Sequence, residues 1–216
     1  MKYKRNVLKI IDELKKLYPE AVCALEYRTD YELLFSARLS AQCTDARVNI
    51  VTKTLFKKYP TLKAFAESDL DELMKIVYPC GFFRTKARDI KEAAKTLLDK
   101  FGGRVPGTME ELLTLPGIGR KTANLILGDV YGKPAIVADT HCIRISNRLG
   151  LAASRDPKKV EFELKKIVPS DEQSMLCHRF VWFGRAVCRA RGPKCGECPL
   201  ISVCNYASGQ GDGPSA

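Results

Sequence analysis

Apolar residues recur along this chain mostly at intervals of three and four. Val7, Ile10, Ile11, Leu14 and Leu17 alternate with lysines and acids, which predicts an opening amphipathic helix ended by Pro19. Val48, Val51, Leu55, Phe56 and Tyr59 form a second stripe. Ser68 and Asp71 have the spacing of a capping box ahead of Leu70, Leu73, Ile76 and Val77. A longer helix is predicted from about Thr85 to Phe101, stopped by Gly102-Gly103. Thr108 with Glu111 repeats the capping spacing before Leu112, Leu113 and Leu115. Helical spacing resumes around Ile143 to Leu149, through Val160, Leu164 and Ile167, and from about Asp171 to Arg185. No comparable run alternates with a period of two, so the expected fold class is all-α. Gly132-Lys133-Pro134 is a crossing between a central helical block and the C-terminal helices. The tail from Ser208 onward is too rich in Gly, Ser and Pro to pack, and 209–216 is expected to be disordered.

With 216 residues, 45% of them hydrophobic, the chain has enough apolar surface for a substantial core. Its 36 Lys and Arg against 25 Asp and Glu give a net charge of +11, which points toward an acidic polymer without naming it. The N-terminal segment lacks the apolar run and cleavage site of a signal peptide, and no stretch approaches the roughly 18 apolar residues of a membrane span, so a cytosolic location is expected. Nine cysteines in that setting favour metal or redox chemistry over a disulfide framework. Cys23, Cys43, Cys80, Cys142 and Cys177 are scattered singly among apolar residues and read as buried thiols.

The other four are clustered. Cys188, Cys195, Cys198 and Cys204 follow C-x6-C-x2-C-x5-C in a stretch that also holds Gly192, Pro193, Gly196 and Pro199. Four thiolates in so short a loop can close around a tetrahedral zinc or a cubane iron–sulfur cluster, and the spacing does not choose between them. Zinc usually draws on two close pairs, and only Cys195 with Cys198 is such a pair, which tilts the reading toward iron–sulfur in a structural role. Arg185, Arg189, Arg191 and Lys194 surround these cysteines, either as phosphate contacts or as a solvated surface.

A second constellation is Leu115-Pro116-Gly117-Ile118-Gly119-Arg120-Lys121-Thr122-Ala123. No strand precedes it and a third glycine is missing, so it is not a dinucleotide fingerprint; it reads as a hairpin between two helices. Gly117 and Gly119 allow close approach of a ligand, and the amides of the following helix start, with Arg120, suit a DNA phosphate read without regard to sequence. Lys121 in that first turn suits phosphate binding and covalent catalysis through a Schiff base equally well. Asp139, in Val137-Ala138-Asp139-Thr140-His141, stands where a helix N-cap is expected.

Taken together, the run Leu115 to Asn124, the segment Val137 to His141 and the four cysteines resemble the endonuclease III family of DNA glycosylases, in the helix-hairpin-helix superfamily. The likeness runs from about Asp30 to Cys204. It implies two helical domains, a central one of residues 22–132 with the hairpin and a second of 1–21 plus 133–208. It also implies a 4Fe-4S cluster held by Cys188, Cys195, Cys198 and Cys204. Lys121 would attack C1′ of the damaged nucleotide, with cleavage by β-elimination 3′ to the abasic site, and Asp139 would be its partner. The partner molecule would be double-stranded DNA carrying oxidised pyrimidines or abasic sites, bound by a monomer in the cytoplasm on the chromosome. Leu39-Ser40-Ala41-Gln42-Cys43-Thr44-Asp45 resembles the loop whose glutamine fills the gap left by an extruded base, which assigns that place to Gln42. Phe82 aligns with a wedge on a second loop, and His141 is a further DNA contact. Cys43, Phe82 and Arg84 depart from the small apolar residue, leucine and asparagine expected of the family, which bears on lesion preference. Rival readings are a monofunctional glycosylase of the superfamily, a non-catalytic DNA-binding module and a zinc-stabilised binding protein. The nucleophilic lysine argues against the first.

Overall fold

The computed structural model describes residues 2–209, with side chains from Asn6 onward. The proposed disorder of 209–216 falls almost wholly outside them; Ser208 and Gly209 lie in a turn whose amides bond to Cys204 and Tyr206 carbonyls. The described residues form eleven α-helices and short 3-10 turns with no strand, the all-α class expected from the spacing. Two compact units result, one of residues 23–131 and one of 2–22 together with 132–209.

The contiguous unit holds α2 (Asp30–Leu39), α3 (Asp45–Lys58), α4 (Leu62–Ala66), α5 (Leu70–Val77), α6 (Phe83–Phe101), α7 (Met109–Leu112) and α8 (Arg120–Asp129). Its core centres on Phe65, fully buried, whose ring lies 5.0 Å from Phe35, 5.3 Å from Tyr59 and 6.2 Å from Phe56. Edge-to-face pairs of this kind add about 0.5–1.5 kcal/mol each beyond simple burial. The stripe Val48, Val51, Leu55, Phe56 and Tyr59 is buried along α3 as its spacing predicts. α2 has no such stripe because Glu32 to Ala37 are all buried, so its apolar residues surround the helix.

The capping boxes are placed with one correction. Thr108 Oγ1 accepts from the Glu111 amide at 3.2 Å and donates to Glu111 Oε2 at 2.7 Å, although the helix it starts is a single turn. At α5 the cap is Asp69, accepting from Glu72 N at 2.8 Å. Ser68 is instead buried and donates to the Phe65 carbonyl at 2.7 Å, closing the preceding helix.

The second unit joins the two ends of the chain. α1 (Lys2–Leu17) packs its Val7, Ile10, Ile11 and Leu14 face on α10 (Pro157–Ile167) and α11 (Gln173–Ala186), and α9 (Thr140–Arg148) packs on α11. Leu17 is exposed, since the chain leaves the helix there. Glu172 bridges Lys15 and Arg179, and Arg179 also donates to the Tyr18 carbonyl at 3.4 Å. Trp182 stacks edge-on against Tyr18 and donates to the Val22 carbonyl at 3.3 Å.

Phe65→Ala should cost about 3–5 kcal/mol by removing the shared partner of the aromatic cluster. Denaturant unfolding followed by circular dichroism checks it; a loss under 1 kcal/mol contradicts the central place given to this ring.

Candidate functional site

The glycine hairpin lies between α7 and α8. Leu115 and Ile118 are buried and linked by the Ile118 amide donating to the Leu115 carbonyl at 3.2 Å, which turns the intervening Pro116-Gly117 outward. Gly117 has φ +72°, and a Cβ there would overlap Asp89 and Arg38 side chains. Internal packing therefore demands this glycine, because Arg38 and Asp89 form an ion pair directly beneath it, with Arg38 Nη2 to Asp89 Oδ2 at 2.7 Å. Gly119 differs. Its φ is −103° and nothing lies within 4 Å of where a Cβ would stand, so a ligand has room to approach it. No side chain caps α8, and Lys121 is exposed in its first turn while Arg120 is half-buried.

Two loops of the same unit carry Gln42 and Phe82. Gln42, between α2 and α3, is exposed with φ +55°; Phe82, at the start of α6, is 64% exposed with φ +47°. These are the only non-glycine residues with positive φ among the described residues. Left-handed backbone costs such residues on the order of 1 kcal/mol and persists only where surroundings impose it. Beside both stands Lys86, which spacing alone did not single out. It is fully buried, and its Nζ donates to the carbonyls of Leu39 at 2.8 Å, Ala41 at 2.7 Å and Cys80 at 2.8 Å. A signal for it exists: residues 86, 90, 93 and 97 fall on one helical face, and Ile90, Ala93 and Leu97 are core. Cys43 and Cys80 touch through their thiols, and burial pushes the Cys80 thiol up to about 11. Cys80, Cys142 and Cys177 are the buried thiols the sequence suggests, whereas Cys23 and Cys43 are half-buried.

In the other unit Asp139 caps α9, its Oδ1 accepting from the Cys142 amide at 2.7 Å, while Oδ2 makes no hydrogen bond to a described residue. His141, in the first turn of α9, has Nδ1 at 3.1 Å from Arg144 Nη2 and packs where Gly184 of α11 leaves no space for a Cβ. His178 is buried in α11.

The four clustered cysteines follow α11. All are half-buried and line one cavity with Arg148, Val187, Pro193, Lys194, Ile201 and Tyr206. Burial raises the Cys198 thiol, and the other three cysteines add to the rise. Arg148 is buried against the loop. Its guanidinium donates to the Cys188 sulfur at 3.4 Å and to the Arg189 and Ala190 carbonyls at 2.7 and 3.1 Å, stacks on Tyr206, and leaves its Nε without a hydrogen-bond partner among the described residues. Among the described residues no three His, Cys, Asp or Glu side chains are gathered as the ligands of a single ion. Arg185, Arg189, Arg191 and Lys194 are exposed.

Residues 35–170 match the HhH-GPD superfamily base excision DNA repair protein profile. Endonuclease III of Synechocystis sp. is 46% identical over 205 residues, covering 94% of each chain, and that of Bacillus subtilis is 43% identical over 195 residues, covering 90% of this chain and 89% of the other. A solved structure of a trapped endonuclease III–DNA covalent intermediate superposes with a TM-score of 0.91 at 43% identity, over 96% of this chain and 98% of that one. The chain belongs to the endonuclease III family of base excision repair DNA glycosylases. Set beside that family's expected pattern, Arg84 places its guanidinium 4.9 Å over the Phe83 ring, and Phe83 in turn leans on Tyr78 at 4.9 Å. The departure at 84 thus joins an exposed aromatic cluster next to Phe82. No helix of the described residues is long and apolar enough to cross a membrane.

The two hairpin glycines should respond differently to substitution. Gly117→Ala is expected to lose about 2 kcal/mol or more, from its φ and the Arg38–Asp89 overlap, while Gly119→Ala loses about 1 kcal/mol or less as a weakened cap. Thermal and denaturant unfolding measure both; equal losses contradict the assignment of Gly117 to internal packing.

Proposed function

We propose that this chain is a bifunctional DNA glycosylase and abasic-site lyase, releasing oxidised pyrimidines from duplex DNA and cutting 3′ to the abasic site. The observation that carries the reading is the exposed amine of Lys121 in the first turn of an uncapped helix, beside an open Gly119. A helix start of this kind offers amides to a phosphate, and Gly117, Gly119 and Arg120 hold the DNA backbone there. The Lys121 nitrogen attacks C1′ with its lone pair; the bond from C1′ to the base breaks, and the base leaves with the electron pair and takes up a proton released from the attacking nitrogen. Opening of the sugar ring gives the Schiff base. Loss of a C2′ proton then expels the oxygen on C3′, and the strand is cut. Support comes from the relative solved as a trapped covalent intermediate with DNA.

Asp139 stabilises the positive charge that develops at the sugar and relays a proton. Since Oδ1 accepts from the Cys142 amide, Oδ2 is the oxygen left for this role. Extruding a base costs a few kcal/mol unless the gap is filled. Gln42 fills it, Phe82 wedges beside it, and His141 adds a contact near Asp139. The partner is duplex DNA with damaged bases or abasic sites, met by a monomer at the chromosome in the cytoplasm.

The cysteine loop fits a 4Fe-4S cluster. The four thiols line one cavity. The unpartnered Arg148 Nε and the half-buried thiols are groups that a sulfide-rich anion satisfies. Cys188, Cys195, Cys198 and Cys204 would hold the cluster, whose iron–sulfur bonds supply a cross-link that fixes the loop. Arg148 neutralises charge there and carries the loop's carbonyls.

Borohydride should trap wild-type protein on duplex DNA containing thymine glycol or an abasic site, and Lys121→Ala should abolish trapping while retaining DNA binding. Asp139→Asn keeps a competent cap but should slow single-turnover base release about 10²-fold or more. Failure of trapping overturns the lyase reading; an unchanged rate leaves Asp139 as a cap alone. For the cluster, purified protein should be coloured and contain iron and sulfide, both lost in Cys204→Ser. A colourless preparation with one zinc overturns that assignment.

A further inference from the structure

We propose that Lys86 is a positioning residue for lesion capture, tying the Gln42 loop to the Phe82 loop and, with Asp89 one turn further along α6, setting both against the glycine hairpin. The proposal rests on the reading of Gln42 and Phe82 as the residues that enter the DNA. Nothing about Lys86 suits solvent or a nucleic-acid phosphate, because its side chain is fully buried and its three donors are all used.

The choice of acceptors is what makes it a coupling device. Leu39 and Ala41 carbonyls lie at the end of α2, immediately before Gln42, where the helix dipole favours a cation. The Cys80 carbonyl lies two residues before Phe82, in the second loop. One ammonium thus holds two loops that are distant in sequence, and the Cys43–Cys80 thiol contact closes the same junction from the side. Both strained residues, Gln42 and Phe82, sit within two residues of a carbonyl bound by Lys86. Three residues on, Asp89 binds Arg38, the neighbour of Leu39, and their pair fills the space beneath Gly117. A single face of α6 therefore registers three separate segments.

Burial lowers the Lys86 pKa from its ordinary value, opposed by the Cys80 and Cys43 thiols. A packed apolar side chain in its place would avoid that desolvation cost. What it would not supply is a shared point of attachment for three carbonyls.

The test uses the intact, cluster-loaded protein and three substrates: a duplex with a tetrahydrofuran abasic analogue, the same duplex undamaged, and a single-stranded abasic oligonucleotide for borohydride trapping. Lys86→Met should lower the ratio of undamaged to analogue Kd about tenfold or more, whereas trapping on the single strand, which has no gap to fill, stays within about twofold of wild type. Asp89→Asn, on a part-exposed pair, should lower the ratio about threefold with the same unaffected trapping, and it carries the test if Lys86→Met does not fold. Gln42→Ala runs beside them. A lowered ratio in Gln42→Ala with a wild-type ratio in folded Lys86→Met, or in Asp89→Asn where that variant carries the test, overturns the positioning role alone. Parallel loss of single-strand trapping also overturns it, as a general structural defect. An unchanged ratio in Gln42→Ala overturns the loop reading and the proposal with it.

Discussion

An ammonium removed from water must be met by acceptors on every donor, since leaving one unmet costs more than the bond returns. In the unit of residues 23–131 that requirement is met by three main-chain carbonyls around Lys86, and the shape of the neighbouring loops follows from it. Carbonyls converging on one point draw the two loops together there. The two non-glycine residues with positive φ among the described residues, Gln42 and Phe82, lie next to those carbonyls. The aromatic core around Phe65 provides bulk stability, but it is the buried cation that dictates where the exposed side chains of this rim are presented.

The residues with the strongest chemical signatures also carry structural duties. Gly117 is needed because Arg38 and Asp89 fill the space where its Cβ would stand, whereas at Gly119 that space is open among the described residues. Asp139 starts a helix with one oxygen, and the other makes no hydrogen bond to a described residue. Arg148 supports the cysteine loop through two carbonyls and a thiol. Capping and chemistry are therefore not competing explanations for Asp139, because a carboxylate has two oxygens to divide between them.

How much of this was legible beforehand depended on whether a residue's environment had a periodic trace. The stripes of α1 and α3 were readable because each helix buries one face, and the all-α class followed. α2 was not readable as a helix, since nearly every side of it is buried and no polar face marks its period. The cap at α5 was displaced by one residue because Ser68 and Asp69 both suit the position and only packing of Ser68 under Phe65 decides between them. The hairpin, Asp139 and the cysteines stood out as motifs. Lys86 did not, because a lysine among the charged residues of α6 looks like surface until its three partners, contributed by loops far away in sequence, are in place.

The second unit is assembled from opposite ends of the chain, and that arrangement bears on synthesis. Residues 23–131 are contiguous and can fold as soon as they have left the ribosome. α1 cannot. Its partners α10 and α11 are made roughly 150 residues later, and the bonds from Arg179 to Tyr18 and from Trp182 to Val22 span 161 and 160 residues. Until then Val7, Ile10, Ile11 and Leu14 form an apolar stripe without its cover. α1 is made long before the helices it packs on and docks only after them, so a chain truncated before α11 leaves that stripe exposed, where it invites chaperones or aggregation.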